Sequence, residues 1–291
     1  MNDKTADNSP ETAEKEGRVI DNPWRRLNEF TAARIGLGRS GVSLPTSEML
    51  AFQLAHAQAR DAVHTILDFD ELCSSLTERT GQTPYRLHSR AEDRTMYLQR
   101  PDLGRRLDET SRETLQNSSV QQHFDLAIVI ADGLSATAIF QNVLPFVEAL
   151  TAALADDEQD WTLAPISLVE QGRVAVGDEV GQCLNADIVL MLIGERPGLS
   201  SPDSLGLYLT WAPEVGLTDA RRNCISNIRP QGLIYSAAVQ RTLYLLKESR
   251  QLKISGVQLK DRSQSIDDKS ASSTVEERPA SASSNFLTHK P

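Results

Sequence analysis

The sequence predicts an α/β protein built on an open, mostly parallel, Rossmann-like sheet flanked by helices, with a smaller and mainly helical portion ahead of it. Three observations carry that prediction. From His123 onward, apolar runs of strand length alternate with longer stretches of helical spacing. The strand candidates are continuously apolar, as strands buried on both faces are. Before residue 110, capping residues and apolar spacing favour helices instead.

The elements follow in order. Residues 1–20 read as a disordered acidic tail and residues 21–110 as the mainly helical portion. Pro45-Thr46-Ser47-Glu48 offers a capping hydroxyl and a first-turn acid, and Leu50, Leu54 and Ala57 then recur at helical spacing as a stripe that needs a neighbour. His56 and His64 lie near one face of this helix, without a third ligand or carboxylate partner, and read as surface or packing residues. A second helix is expected from Asp70 to Thr80. The stretch after it mixes extended character with Arg86, Arg90, Arg94, Arg100, Arg105 and Arg106, for which ion pairs inside the chain or with another chain are the favoured reading.

Residues 120–260 form the α/β portion. FDLAIVIADG is the first strand and ATAIFQNVLPFVEALTAAL its helix, which Pro145 is expected to kink or interrupt. A second strand follows near Ala164–Val169, then a short helix in VGDEVGQCLNA. DIVLMLIGERPG is the third and strongest strand, LGLYLTWAP the fourth, and Gly232–Leu252 the closing helix. Residues 261–291, rich in Ser and charge, read as a disordered tail.

Composition removes several function classes. The chain has 291 residues and a net charge of -10, with 40 acidic against 30 basic residues, which disfavours nucleic acid or an anionic membrane as partner. No run approaches the ~18 apolar residues of a membrane span, and the amino terminus lacks the features of a secretory signal. Three cysteines without ligand spacing argue against a disulfide scaffold or structural metal and fit a cytoplasmic location.

In open α/β sheets ligands bind beyond the carboxyl ends of the strands. Four segments are expected to gather there: 132–135, 170–174, 194–198, and a loop through Arg222–Asn227. Two motifs fail on context. Gly36-Leu37-Gly38-Arg39-Ser40-Gly41 fits the dinucleotide pattern but no strand leads into it, so it reads as a glycine-rich connection. Gly133-Leu134-Ser135-Ala136-Thr137 resembles a nucleophile elbow, yet the only histidine after both the serine and a candidate acid is His289 in the tail; Ser135 reads as a helix cap. Cys224 is flanked by Arg221 and Arg222, which would lower its pKa, but it has no base beside it in sequence. A stand-alone hydrolase-like enzyme using Ser135 or Cys224 is the alternative reading.

The blocks TAARIGLGRSG, LHSRAEDRTMYLQRPDLGRRL, FDLAIVIADGLSATAI, EQGRVAVGDEVG, VLMLIGERPGLSSPDSLGLYLTW and RRNCISNIRPQG together resemble the small (light) subunit family of ethanolamine ammonia-lyase, over about residues 22–260. The resemblance implies a subunit that closes one side of an adenosylcobalamin site, the other side belonging to a barrel-shaped large subunit that binds ethanolamine. That enzyme is a lyase using a radical to give acetaldehyde and ammonia. It implies cofactor contacts at Val174, Glu195 and Cys224, and no catalytic residue or cobalt ligand in this chain. The Asp-x-His-x-x-Gly motif is absent, so the cofactor is expected base-on. Some members enter a bacterial microcompartment through an amphipathic amino-terminal helix, and MNDKTADNSPETAEKEG has no such apolar face.

Overall fold

The computed structural model describes residues 19–118 and 122–263; both expected tails fall almost wholly outside these. The amino-terminal portion begins with a 3-10 helix, Pro23–Glu29, not with a long α-helix. Glycines at positive φ explain the difference, since Gly36 (φ +63°) and Gly38 (φ +75°) turn the chain where a helix would need negative φ. A Cβ on Gly36 would stand 2.7 Å from the backbone of Arg25. The dinucleotide-like hexapeptide is thus a packed connection, with Arg39 bridged to Ile20.

Helix α1 (Thr46–His64) starts after Pro45, and no side-chain hydroxyl caps it. Its expected stripe is not the buried one. Ala55, Ala59 and Ala62 face the protein, whereas Leu50 and Leu54 are 58% and 61% exposed. Small residues let this helix approach its neighbour closely and leave the larger side chains outside. Helix α2 (Phe69–Thr80) follows, with the Asp68 carboxylate accepting from the amides of Asp70 and Glu71 at 3.0 and 2.9 Å and Gly81 closing the other end in the left-handed region.

Strand β1 (Tyr85–His88), short helices α3 (Arg94–Gln99) and α4 (Glu109–Ser118), strand β2 (Phe124–Ala131) and helix α5 (Ala136–Ala155) come next. Then follow β3 (Ser167–Glu170), α6 (Val176–Cys183), β4 (Ala186–Gly194), β5 (Leu205–Trp211), β6 (Arg222–Ile228) and α7 (Tyr235–Leu252). The six strands form one sheet in the order β1-β3-β2-β4-β5-β6. Pairings β1–β3, β3–β2 and β2–β4 are parallel; β4–β5 and β5–β6 are antiparallel. Leu126, Ile128 and Ile130 of β2 point into one core with α2, α5 and α7. Ala127, Val129 and Ala131 point into a second core with Val176 and Val180 of α6 and Leu115 of α4. Burial on both faces is why β2 and β4 read as unbroken apolar runs.

Three expectations change here. Arg222–Asn227, expected as a loop, belongs to strand β6. Helix α5 runs unbroken through Pro145. By length and composition α5 is also apolar enough to cross a bilayer, contrary to expectation; it lies against the sheet with Ile139, Val143, Phe146 and Leu150 fully covered. Four of the six arginines of the cluster make internal pairs: Arg94 with Asp132 at 3.4 Å, Arg100 with Asp102 at 2.8 Å, Arg106 with Glu179 at 3.0 Å, and Arg86 with Glu170 at 3.1 Å and with Asp70; Arg90 donates to the Leu107 carbonyl instead. His56 and His64 are surface residues.

Candidate functional site

The connection after β2 leads to β3 on one side, and β3 connects back across β2 to β4, which itself continues away to β5. Connections therefore diverge between β2 and β4, which is where such sheets open a crevice at their carboxyl ends. A cleft of about 400 Å³ lies there, lined by Tyr97, Leu134, Arg173, Val174, Glu195, Arg196 and Tyr208 with the end of β4. Three of the four expected segments meet in it: Leu134 comes from the turn after β2, Arg173 and Val174 from the turn after β3, and Glu195 and Arg196 from the turn after β4.

Backbone close approach brings these turns together. Gly133 (φ +61°) packs so tightly that a Cβ there would lie 2.3 Å from the Gly194 carbonyl oxygen, and a Cβ on Gly194 would lie 2.1 Å from that of Ser135. Buried Asp132 joins the first two turns, since its Oδ1 accepts from the amides of Gly133 at 3.0 Å and Gly172 at 3.2 Å. Burial raises its pKa to about 6, although Arg94 and the two amides favour the charged form. Arg94 Nη1 donates to the Gly133 carbonyl at 2.7 Å, and its Nε donates to the Val63 carbonyl at the end of α1, 2.9 Å away.

Beneath the cleft the Tyr97 ring is contacted by two guanidinium groups, with Arg173 Cζ 4.1 Å and Arg94 Cζ 4.8 Å from its centroid. Arg173 also donates to the Tyr97 carbonyl at 2.9 Å. The Tyr97 hydroxyl, Arg173 Nε and one Arg94 nitrogen are buried without a hydrogen-bond partner. Burial drives the Tyr97 phenol well above its ordinary pKa, so it stays protonated.

Glu195 is half-buried and fixed from two sides. Its Oε2 accepts from the Ser204 hydroxyl and, at 3.2 Å, from the Asn227 amide. Gly206 on the facing strand makes room, since a Cβ there would stand 2.9 Å from Glu195 Oε1. Val174 is half-buried in the cleft wall.

Cys224 occupies a different position from the expected one. It sits on β6 opposite Tyr208 of β5, and Tyr208 carries the connection to the cleft. Cys224 is exposed at the strand, yet partial loss of solvation around the sulfur raises its thiol pKa; the neighbouring Tyr208 phenol lowers it and the Glu195 charge raises it. The expected lowering by Arg222 does not occur, because that guanidinium is buried in a pair with Asp178 at 2.7 Å and a second with Asp219 at 3.3 Å. Asn223 faces the protein, donating to the Leu259 carbonyl at 2.8 Å. Ser135 caps α5, accepting from the Ala138 amide at 3.1 Å while donating to the Pro202 carbonyl at 2.7 Å. Among the described residues neither Ser135 nor Cys224 is paired with a base.

Arg173 and Arg196 lie within segments the sequence reading placed at this edge, whereas Tyr97 and Tyr208 lie outside them and were missed as lining residues. Tyr97 comes from a helix far away in the chain, and Tyr208 belongs to a strand that read as pure core.

A family model described as ethanolamine ammonia-lyase light chain matches residues 21–260. The chain is 58% identical over 246 residues to the ethanolamine ammonia-lyase small subunit of Pseudomonas putida strain W619, covering 84% of this chain and 89% of that one. Similarity to the small subunit of P. putida strain GB-1 is 55% over 272 residues, covering 93% and 97%, and to that of P. aeruginosa strain LESB58 57% over 247 residues, covering 84% and 89%.

Proposed function

The chain belongs to the ethanolamine ammonia-lyase light-chain family, and from that membership and its half-built cleft we propose that it closes an adenosylcobalamin site shared with a large subunit. The observation that carries this reading is the mismatch between the cleft and any complete active site. At about 400 Å³ it suits a small ligand, whereas a corrinoid is much bulkier, so this chain supplies one wall only. The wall also lacks a paired nucleophile and base, which supports a reaction driven by a cofactor and finished on another chain.

The residues present fit such a group. Gly133 and Gly194 keep the floor free of side chains, Leu134 and Val174 offer apolar surface, and Glu195 and Arg196 offer groups of opposite charge. When bound, the cofactor supplies the adenosyl radical that converts ethanolamine to acetaldehyde and ammonia. In this reading Val174 packs against the corrin or its benzimidazole. Glu195, held by Ser204 and the Asn227 amide, accepts from amide or hydroxyl donors of the cofactor periphery. Cys224 offers a small neutral edge behind Tyr208. The cofactor binds base-on in this reading, and among the described residues the cleft lining carries no histidine. Ethanolamine is held mainly by the large subunit. A cytoplasmic location completes the proposal, with enclosure in a bacterial microcompartment as the second possibility.

Reconstitution tests it. Acetaldehyde formation from ethanolamine is expected only when this chain, the large chain and adenosylcobalamin are all present. Activity of this chain alone overturns the proposal and restores the stand-alone enzyme.

A further inference from the structure

Exposed apolar side chains are unevenly distributed over this protein. Eleven of the eighteen exposed large hydrophobic residues among those described lie between residues 19 and 54. Trp24 is 56%, Phe30 84%, Leu50 58% and Leu54 61% exposed, and Met49 and Phe52 are nearly half exposed. Single exposed leucines need no explanation, but such concentration in one segment marks a surface that another body covers. Helix α1 buries only an alanine seam against its own chain, so Met49, Leu50 and Leu54 stay exposed and Phe52 meets only His56 and Arg34 across its ring.

The position of this segment identifies the occupant. Ser200, in the loop that carries Glu195, donates to the Ala32 carbonyl at 3.2 Å. Arg34 lies over the Phe52 ring at 5.5 Å, tying the same segment to α1. At its other end α1 is held by Arg94, the residue that also braces Asp132 and the cleft floor. The apolar segment therefore flanks the open cleft on two attachments. A partner that completes the cleft from outside continues onto this surface.

We propose that the apolar surface of residues 24–54 is the docking face for the large subunit, continuous with the cofactor cleft. This rests on the two-chain reading above. Docking on α1 sets the large subunit's position relative to the cleft through Val63, Arg94 and Ala32, so assembly and site closure are one event.

Co-expression of the full-length chain with the large chain tests it, with sedimentation of the purified mixture as readout. The double variant Leu50→Asp/Leu54→Asp, and separately Phe30→Asp, are expected to weaken association at least about tenfold. Val257→Asp, on a 75% exposed side chain of the distant 3-10 turn Gly256–Gln258, is expected to leave it unchanged. Circular dichroism and urea midpoints of the lone variants are expected to match wild type, because the changed side chains are already solvated. Unchanged association of both leucine and phenylalanine variants overturns the inference. So does a lone chain that is dimeric and is split by these substitutions while the mixed complex survives, which makes a second copy the occupant. Failure of the wild-type chains to associate at all overturns the two-chain reading itself.

Discussion

Tyr208 and Cys224 stand opposite each other on neighbouring antiparallel strands, so the phenol and the thiol share one edge of the cleft. Loss of solvation raises both groups and the Glu195 charge adds to it, so neither ionises at neutral pH. This edge of the cleft is a neutral contact and not a nucleophile.

Alkylation measures that state. Because partial desolvation and the Glu195 charge raise the Cys224 pKa while the facing Tyr208 phenol lowers it, Tyr208→Phe removes the lowering influence and moves the thiol further up. Peptide-resolved mass spectrometry of iodoacetamide labelling is expected to show slow Cys224 modification at pH 7, rising only in the alkaline range. The Phe variant's profile shifts to still higher pH. A fast reaction at pH 7 contradicts the assignment.

Glu195→Ala is expected to weaken cobalamin affinity of the two-chain complex by about tenfold, the scale of one hydrogen bond to a charged group. Glu195→Gln keeps one acceptor and is expected to lose less. Co-elution of the two chains persists in both, since Glu195 is not on the apolar segment. A spectroscopic titration with cobalamin separates these outcomes, and equal affinity in all three proteins removes Glu195 from the site.

Asp132 makes stability depend on pH in an uncommon direction. Its folded pKa, about 6, lies above the ordinary carboxylate value, so between about pH 4 and pH 6 the folded state holds more of this proton than the unfolded state. Its contribution to stability is therefore greatest at low pH and declines as pH rises through that window, by on the order of 3 kcal/mol. Urea unfolding of Asp132→Asn, which keeps an oxygen for the Gly133 and Gly172 amides, isolates the effect from other acids. The stability of wild type relative to the variant is expected to fall across the window; a constant difference refutes it.

What could be read from the sequence was decided by how local each signal was. Strands β2 and β4 and helices α2, α5 and α7 carry their burial in their own composition, and the glycine-bearing turns that follow β2, β3 and β4 mark the cleft directly. Strand β6 was hidden because only Arg222, Ile225 and Ile228 of RNCISNI are buried, leaving an exposed polar set that resembles a loop. β1 is four residues long and buries only Leu87. The α1 surface misled for a different reason: apolar spacing reports that a face wants cover, and nothing in the sequence says that the cover comes from another molecule. Val174 and Glu195 were reached by topology and resemblance together, whereas Tyr97 enters from α3, 77 residues before Val174, and only folding brings it there.

The three turns of the cleft hang from adjacent parallel strands, and this makes the sheet a ruler. Interstrand hydrogen bonding fixes neighbouring strands ~4.8 Å apart, so the lateral spacing of Leu134, Val174 and Glu195 is set by ladder geometry and not by the helices between them. Changes of length in the connections after α5 or α6 leave that spacing intact. A single residue inserted in the middle of β4 does not, because it moves every later side chain to the opposite face and carries Glu195 away from its partners Ser204 and Asn227. Variation in length among members of this family should accordingly gather on the far side of the sheet, in loops such as 155–163, and spare the strands that measure out the wall.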